Sequence, residues 1–183
     1  MGKAAIFLDR DDTLIENVPY LGDPTKVRLL PGAKDAIHRL HQAGFSLIVV
    51  SNQSGVGRGL ITKEQVHSVD TRMADLFGGG SIFTAFTHCF AAPGDPYDER
   101  RKPSPVMLQD SALEHGLSLK NSFMVGNRLS DIQSGASAGC RTIILQLRIH
   151  PGDKKACTDL ATFSAKDWPA ACDWIFQSKD SPQ

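Results

Sequence analysis

The feature that most limits how this chain can fold is the end-to-end alternation of short apolar runs with longer amphipathic stretches. Residues 3–9, 45–51, 83–90, 122–126 and 141–147 have strand composition, with a further short strand near 161–163. Between them, residues 32–43 place Ala33, Ala36, Ile37 and Leu40 on one helical face, and Gly44 stops that helix. Residues 62–77 open on Thr62 with Gln65 three positions on, a capping-box spacing, and run into Gly78-Gly79-Gly80. Residues 104–115, 129–138 and 167–176 complete the helices. A βαβαβ order requires crossover connections, so the expected fold is α/β: a three-layer, Rossmann-like, mostly parallel sheet with helices on both faces. The 183 residues are expected to form one domain, 1–183, around one core.

Two stretches interrupt the alternation, residues 10–31 and 91–103. Connections longer than about 12 residues in a compact domain usually carry function. Both follow predicted strands at the carboxyl end of the sheet, where open α/β sheets bind ligands. The first is expected to act as a flap over a site and the second as a substrate-facing loop. The first begins with Asp9-Arg10-Asp11-Asp12-Thr13, directly after the apolar run Ala4-Ala5-Ile6-Phe7-Leu8. Alternate residues of an extended chain point the same way, so Asp9 and Asp11 face one site if the strand continues. Such a pair suits phosphoryl chemistry: one carboxylate attacks phosphorus, the other serves as acid and base, and a divalent cation holds the charges together. A strand ending in a solvated acidic turn is the plainer alternative.

Three more polar clusters fall at strand ends. Ser51-Asn52-Gln53-Ser54-Gly55 offers hydroxyl, amide and backbone donors to phosphate oxygens, or is simply a glycine-rich turn. Arg101-Lys102-Pro103 sets two cations ahead of a helix, where Arg can grip a phosphate as a planar fork and Lys can neutralise its charge. Gly126-Asn127-Arg128-Leu129-Ser130-Asp131 places Asn127 and Asp131 at a strand-to-helix turn, as oxygen ligands for Mg²⁺ or as helix caps.

Taken together, Asp-x-Asp, then Ser, then Lys, then Gly-Asn-x-x-x-Asp occur in the order of the haloacid dehalogenase superfamily, which the chain resembles over residues 3–147. Within it, Leu8-Asp9-Arg10-Asp11, Leu30-Pro31-Gly32-Ala33, Asn52-Gln53-Ser54-Gly55-Val56 and Arg101-Lys102-Pro103-Ser104-Pro105 are similar to the D-glycero-D-manno-heptose 1,7-bisphosphate phosphatase group, itself close to histidinol-phosphate phosphatases. The resemblance implies a small sugar (bis)phosphate substrate, hydrolysis at the 7-position, Mg²⁺ and no separate cap domain. It implies Asp9 as nucleophile and metal ligand, and Asp11 as acid/base with its backbone carbonyl on the metal. Ser51, Asn52, Gln53, Arg101 and Lys102 would bind phosphate or sugar. Asn127 and Asp131 would complete the metal site, Asp131 directly or through water.

The chain departs from that pattern at three places. The group often carries a zinc-binding loop, Cys-x-His and then Cys-x-Cys before Arg-Lys-Pro; here the matching stretches are Cys89-Phe90-Ala91 and Asp98-Glu99-Arg100. A single thiolate cannot hold structural zinc, so none is expected. His88 and Cys89 are adjacent in a predicted strand and should point to opposite faces. Asn127 stands where an aspartate is usual, which should weaken the cation site. Asp12 replaces a common glycine, mildly, because Asp tolerates left-handed geometry.

These departures keep open a phosphosugar-binding protein with impaired turnover, as well as a histidinol-phosphate or other small phosphomonoester phosphatase. A nucleic-acid 3′-phosphatase shares the Asp-x-Asp strand, but 20 basic against 20 acidic side chains leave no field to attract nucleic acid or an anionic membrane. No apolar stretch approaches the ~20 residues of a membrane span, and Met1-Gly2-Lys3 leads into a strand without a cleavage pattern, so a cytoplasmic monomer is expected. The four cysteines are expected to be reduced thiols. Trp168 and Trp174 are expected to pack, His38 and His41 to lie on the helix surface, and Tyr20 is a candidate substrate contact.

Overall fold

The computed structural model describes residues 2–178 apart from Gly80, Tyr97 and His150. Six parallel strands form one sheet: β1 (Ala5–Leu8), β2 (Ser46–Asn52), β3 (Ala85–Cys89), β4 (Phe123–Gly126), β5 (Arg141–Leu145) and β6 (Phe163–Ala165). Their order is β3-β2-β1-β4-β5-β6. The chain runs outward from β1 to β3 and then returns to the other side of β1 at β4. That reversal opens a crevice at the carboxyl ends of β1 and β4. β1 is buried on both faces, as a central parallel strand must be.

The helices are α1 (Ala33–Gln42), α2 (Ser54–Gly57), α3 (Lys63–Phe77), α4 (Val106–His115), α5 (Leu129–Ala138), α6 (Lys154–Leu160) and α7 (Trp168–Ser178). Alternation along β1 sorts them into layers. Ile6 and Leu8 join apolar residues of α1, α3 and α7 on one face; Ala5 and Phe7 join Met107, Leu108 and Ala112 of α4 on the other. The expected helices recur, and Thr62 and Gln65 form the capping box of α3, each side chain bonding the other's backbone. Helices α2 and α6 were not expected. The helix stop expected at residues 78–80 holds at Gly78, whose φ of 118° only glycine adopts readily; Gly80 lies outside the described residues.

Residues 10–31 are less free than their length suggests. Backbone bonds from Glu16 N to Arg28 O and from Leu30 N to Leu14 O, both 2.9 Å, tie the segment to itself. Leu14, Ile15, Leu21, Val27 and Leu30 are buried, and the Trp168 indole donates to Thr13 O at 2.8 Å. Trp168 is therefore core, as expected, while Trp174 stacks on Phe163. Asp12 has φ 57° and its carboxylate accepts from Asn17 N, so it fills a glycine-like turn position. His41 is exposed, whereas His38 is half-buried and bonds Phe77 O. Among the described residues, no helix is long and apolar enough to cross a membrane.

Candidate active site

Asp9 leaves the end of β1 with strand geometry for one more residue, its N–H bonding Val125 O at 3.0 Å. Its side chain projects into a cavity of about 460 Å³ at the carboxyl end of the sheet. Ser51 and Asn52 reach the same cavity from the end of β2, Gln53 from the turn after it, Arg101 and Lys102 from the β3–α4 connection, Asn127 from the β4–α5 turn and Asp131 from the first turn of α5. Asp11 lines it too, so all nine candidate residues meet in one place. Tyr20 also lines it and is 46% exposed. Gly55 lets its ring pack closely, because a Cβ there would fall 2.7 Å from Tyr20 Cδ1.

Lys102 is the centre of the charge network. Its Nζ lies 2.6 Å from Asp9 Oδ1, 2.7 Å from Asp131 Oδ1 and 2.7 Å from Val50 O. Burial opposes the charge on this ammonium, but Asp131 and Asp9 outweigh it and raise its pKa. For Asp9 the balance is different. Burial pushes its carboxyl up to about 7, Asp131 adds to the rise, and Lys102 opposes it.

Two of the candidate residues also hold Lys102. The Asn52 amide donates to Lys102 O at 3.1 Å and accepts from Lys102 N at 3.0 Å, a reciprocal clasp that fixes the loop before α4. Asp131 was expected near a metal. Its Oδ2 accepts from Asn127 N and Arg128 N at 3.1 and 3.0 Å, while Oδ1 meets Lys102. Through these contacts Asp131 holds both Lys102 and the first turn of α5.

The remaining oxygens suit a hard cation. Thr13 Oγ1 lies 3.2 Å from Asp9 Oδ2 and 3.4 Å from Asn127 Oδ1, so these two oxygens converge beside it. Both are oxygen donors and one is a carboxylate, chemistry that suits Mg²⁺ when water and a phosphate supply further ligands. Among the described residues no cluster of three or more His, Cys, Asp or Glu side chains forms a metal site. Cys89 is buried in the same core cluster as Phe7 and Ile48, while His88 on the opposite face pairs with Asp70. All four cysteines are free thiols and buried.

Asp11 is partly exposed. Gln53 Nε2 donates to its Oδ2 at 2.9 Å and to Ser51 Oγ at 2.8 Å. Sequence reasoning missed Arg10, Thr13, Asp70 and His88. Arg10 is 1% exposed and ion-pairs with Asp11 and Asp70. The available signal was Asp70's place in α3, in register with Val66, Val69 and Met73 on the core-facing side.

An aspartate-bearing strand at a topological switch point, with cationic and hydroxyl groups from three later segments, is the arrangement of a hydrolase of the haloacid dehalogenase type. The family model for haloacid dehalogenase-like hydrolases matches residues 16–139, and the chain belongs to that family. It is 32% identical to a D-glycero-D-manno-heptose-1,7-bisphosphate 7-phosphatase of Thermosynechococcus vestitus, over 96% of each chain. It is also 32% identical to a D-glycero-beta-D-manno-heptose-1,7-bisphosphate 7-phosphatase of Yersinia pestis, covering 91% of this chain and 94% of that one. Among solved structures, the D,D-heptose 1,7-bisphosphate phosphatase of B. bronchiseptica, complexed with magnesium and phosphate, aligns with a TM-score of 0.84 at 28% identity, over 96% of this chain and 99% of that one.

Proposed function

We propose that this chain is a Mg²⁺-dependent phosphoric monoester hydrolase that removes the 7-phosphate of D-glycero-D-manno-heptose 1,7-bisphosphate. The observation that carries this reading is Asp9, buried at the switch point with Lys102 2.6 Å from one oxygen and Thr13 3.2 Å from the other. Ionised, Asp9 attacks phosphorus while the bond to the sugar oxygen breaks, and Asp11 gives that oxygen its proton. Asp11 then takes a proton from water as the water attacks phosphorus; the bond to Asp9 breaks and inorganic phosphate leaves. Lys102 and Ser51 face the charge that develops on the transferring group, and Gln53 holds Ser51 and Asp11 in step. Mg²⁺, held by Asp9, the Asp11 carbonyl and Asn127, supplies neutralisation of the phosphate charge. Arg101 stands at the cavity wall for the sugar or its second phosphate.

The same reading takes residues 1–183 as one catalytic unit, working as a cytoplasmic monomer on a small phosphate ester, without nucleic acid, membrane or structural zinc. The test is phosphate release with Mg²⁺ over both heptose bisphosphate anomers, other sugar phosphates and histidinol phosphate, with Asp9→Asn as control. Preferred turnover of a heptose bisphosphate that disappears in Asp9→Asn supports the proposal. Preference for histidinol phosphate reassigns the substrate, and no release from any ester leaves a phosphosugar-binding protein.

A further inference from the structure

The proposed acid/base is a partly exposed carboxylate, and proton transfer to a fixed oxygen requires that it hold one orientation. Arg10 supplies that constraint from below. Its Nε lies 3.2 Å from Asp11 Oδ2 and its Nη2 3.4 Å from Oδ1, a forked contact spanning both oxygens. The guanidinium is itself held: Nη1 donates to Asp70 Oδ1 at 3.0 Å, and Asp70 Oδ2 meets His88 Nε2 at 2.6 Å. The side chains of Arg10, Asp70 and His88 are only 1, 6 and 3% exposed. The row therefore runs from the cavity, through α3, to the edge strand β3. A buried ion pair of this kind adds little net stability compared with apolar packing. What it does fix is the plane of the guanidinium, and through it the plane of the Asp11 carboxylate. Burial opposes both charges, but Asp11 and Asp70 keep Arg10 charged, and His88 and Arg10 hold the Asp70 carboxyl below its ordinary range.

We propose that Asp70, backed by His88, is a positioning residue that locks Arg10 so that Arg10 aims the Asp11 carboxylate at the ester oxygen. This rests on Asp11 being the acid/base. An acid is needed only when the leaving oxygen is basic, so the choice of ester separates aim from general integrity. The experiment compares the parent, Asp11→Asn and Asp70→Asn, using heptose bisphosphate and 4-nitrophenyl phosphate with Mg²⁺. For Asp70→Asn on the sugar ester, kcat is expected to fall about tenfold or more with KM within about twofold, within the range of acid–base effects. The pre-steady-state release of 4-nitrophenolate, which departs without a proton, is expected to stay within about twofold of the parent.

His88→Phe leaves the Arg10–Asp70 pair in place and gives a smaller loss with the same ester dependence, which His88→Gln restores; this series carries the test if Asp70→Asn does not fold. Equal losses on both esters in Asp70→Asn or His88→Phe, or no loss on the sugar ester, overturn the proposal while Asp11→Asn still shows ester dependence. If Asp11→Asn itself lacks ester dependence, the acid/base reading falls and this inference falls with it.

Discussion

Replacing Asn127 by Asp tests the cation site without reference to turnover. Asp9 Oδ2 and Asn127 Oδ1 both lie within 3.4 Å of Thr13 Oγ1, and both residues are buried. A carboxylate at 127 would therefore sit about 6 Å from that of Asp9, and at an effective dielectric of about 20 two like charges at that distance repel by about 3 kcal/mol. The substitution also removes the bond from Asn127 Nδ2 to Arg148 O, 2.9 Å long, worth about 1 kcal/mol. For a chain of this size, 3 kcal/mol corresponds to a Tm lower by about 6 to 12 °C. The measurement is thermal unfolding in EDTA at about pH 8.5, above the raised Asp9 pKa of about 7 in the parent; the repulsion itself favours uptake of a proton by the pair, which moves the expected drop toward the lower end of that range. Titrating Mg²⁺ should reverse the effect, because the second carboxylate then becomes a ligand: the variant gains more Tm than the parent, and its apparent Mg²⁺ affinity rises about tenfold or more, or about 1.4 kcal/mol. An unchanged Tm in EDTA, or a Mg²⁺ response no larger than the parent's, would place position 127 outside the cation site and refute the reasoning.

Two further outcomes follow from the same geometry. A carboxyl raised to about 7 is neutral below that pH and cannot attack phosphorus, so with Mg²⁺ limiting, kcat/KM should fall on the acid side with a midpoint near 7 and level off above it. Saturating Mg²⁺ favours the ionised form and moves this limb to lower pH; a flat profile through neutrality at limiting Mg²⁺ contradicts the assignment of Asp9. Gly126→Ala should be disruptive although the change is one methyl group, since a Cβ there falls 2.5 Å from Asp131 Cγ. It displaces the carboxylate that accepts from Asn127 N and Arg128 N and pairs with Lys102. The expected loss is about 3 kcal/mol in urea unfolding, overpacking plus broken charge-assisted bonds, with turnover falling as well; a stability within about 0.5 kcal/mol of the parent would show that Asp131 can move freely.

Most of the sheet was legible because buried parallel strands leave apolar runs and covering helices leave 3.6-residue stripes. What escaped lacked those signals. Helix α2 is one turn containing two glycines, and α6 buries only Cys157, so neither shows an apolar face. The last strand was expected at 161–163 and lies at Phe163–Ala165, since its ends are set by pairing with Ile143–Leu145. In residues 10–31, length pointed to a flap over the site but not to its anchoring, because the core residues Leu14, Ile15, Leu21, Val27 and Leu30 have no regular spacing. At the site, residue type and strand-end position were enough to bring nine side chains to one cavity. They could not say which atoms face a ligand, because that depends on distances between segments far apart in the chain. Asn52 and Asp131 have the right chemistry for phosphate and metal, and each also holds Lys102, about 50 residues from one and 30 from the other. Arg10 was hidden for the opposite reason: a charged residue between two aspartates reads as solvated surface, and only the burial of Asp70 on α3 gives it a partner in the core. A burial pattern can thus locate an acid in the core, but the reason for it being there comes from the side chain it holds.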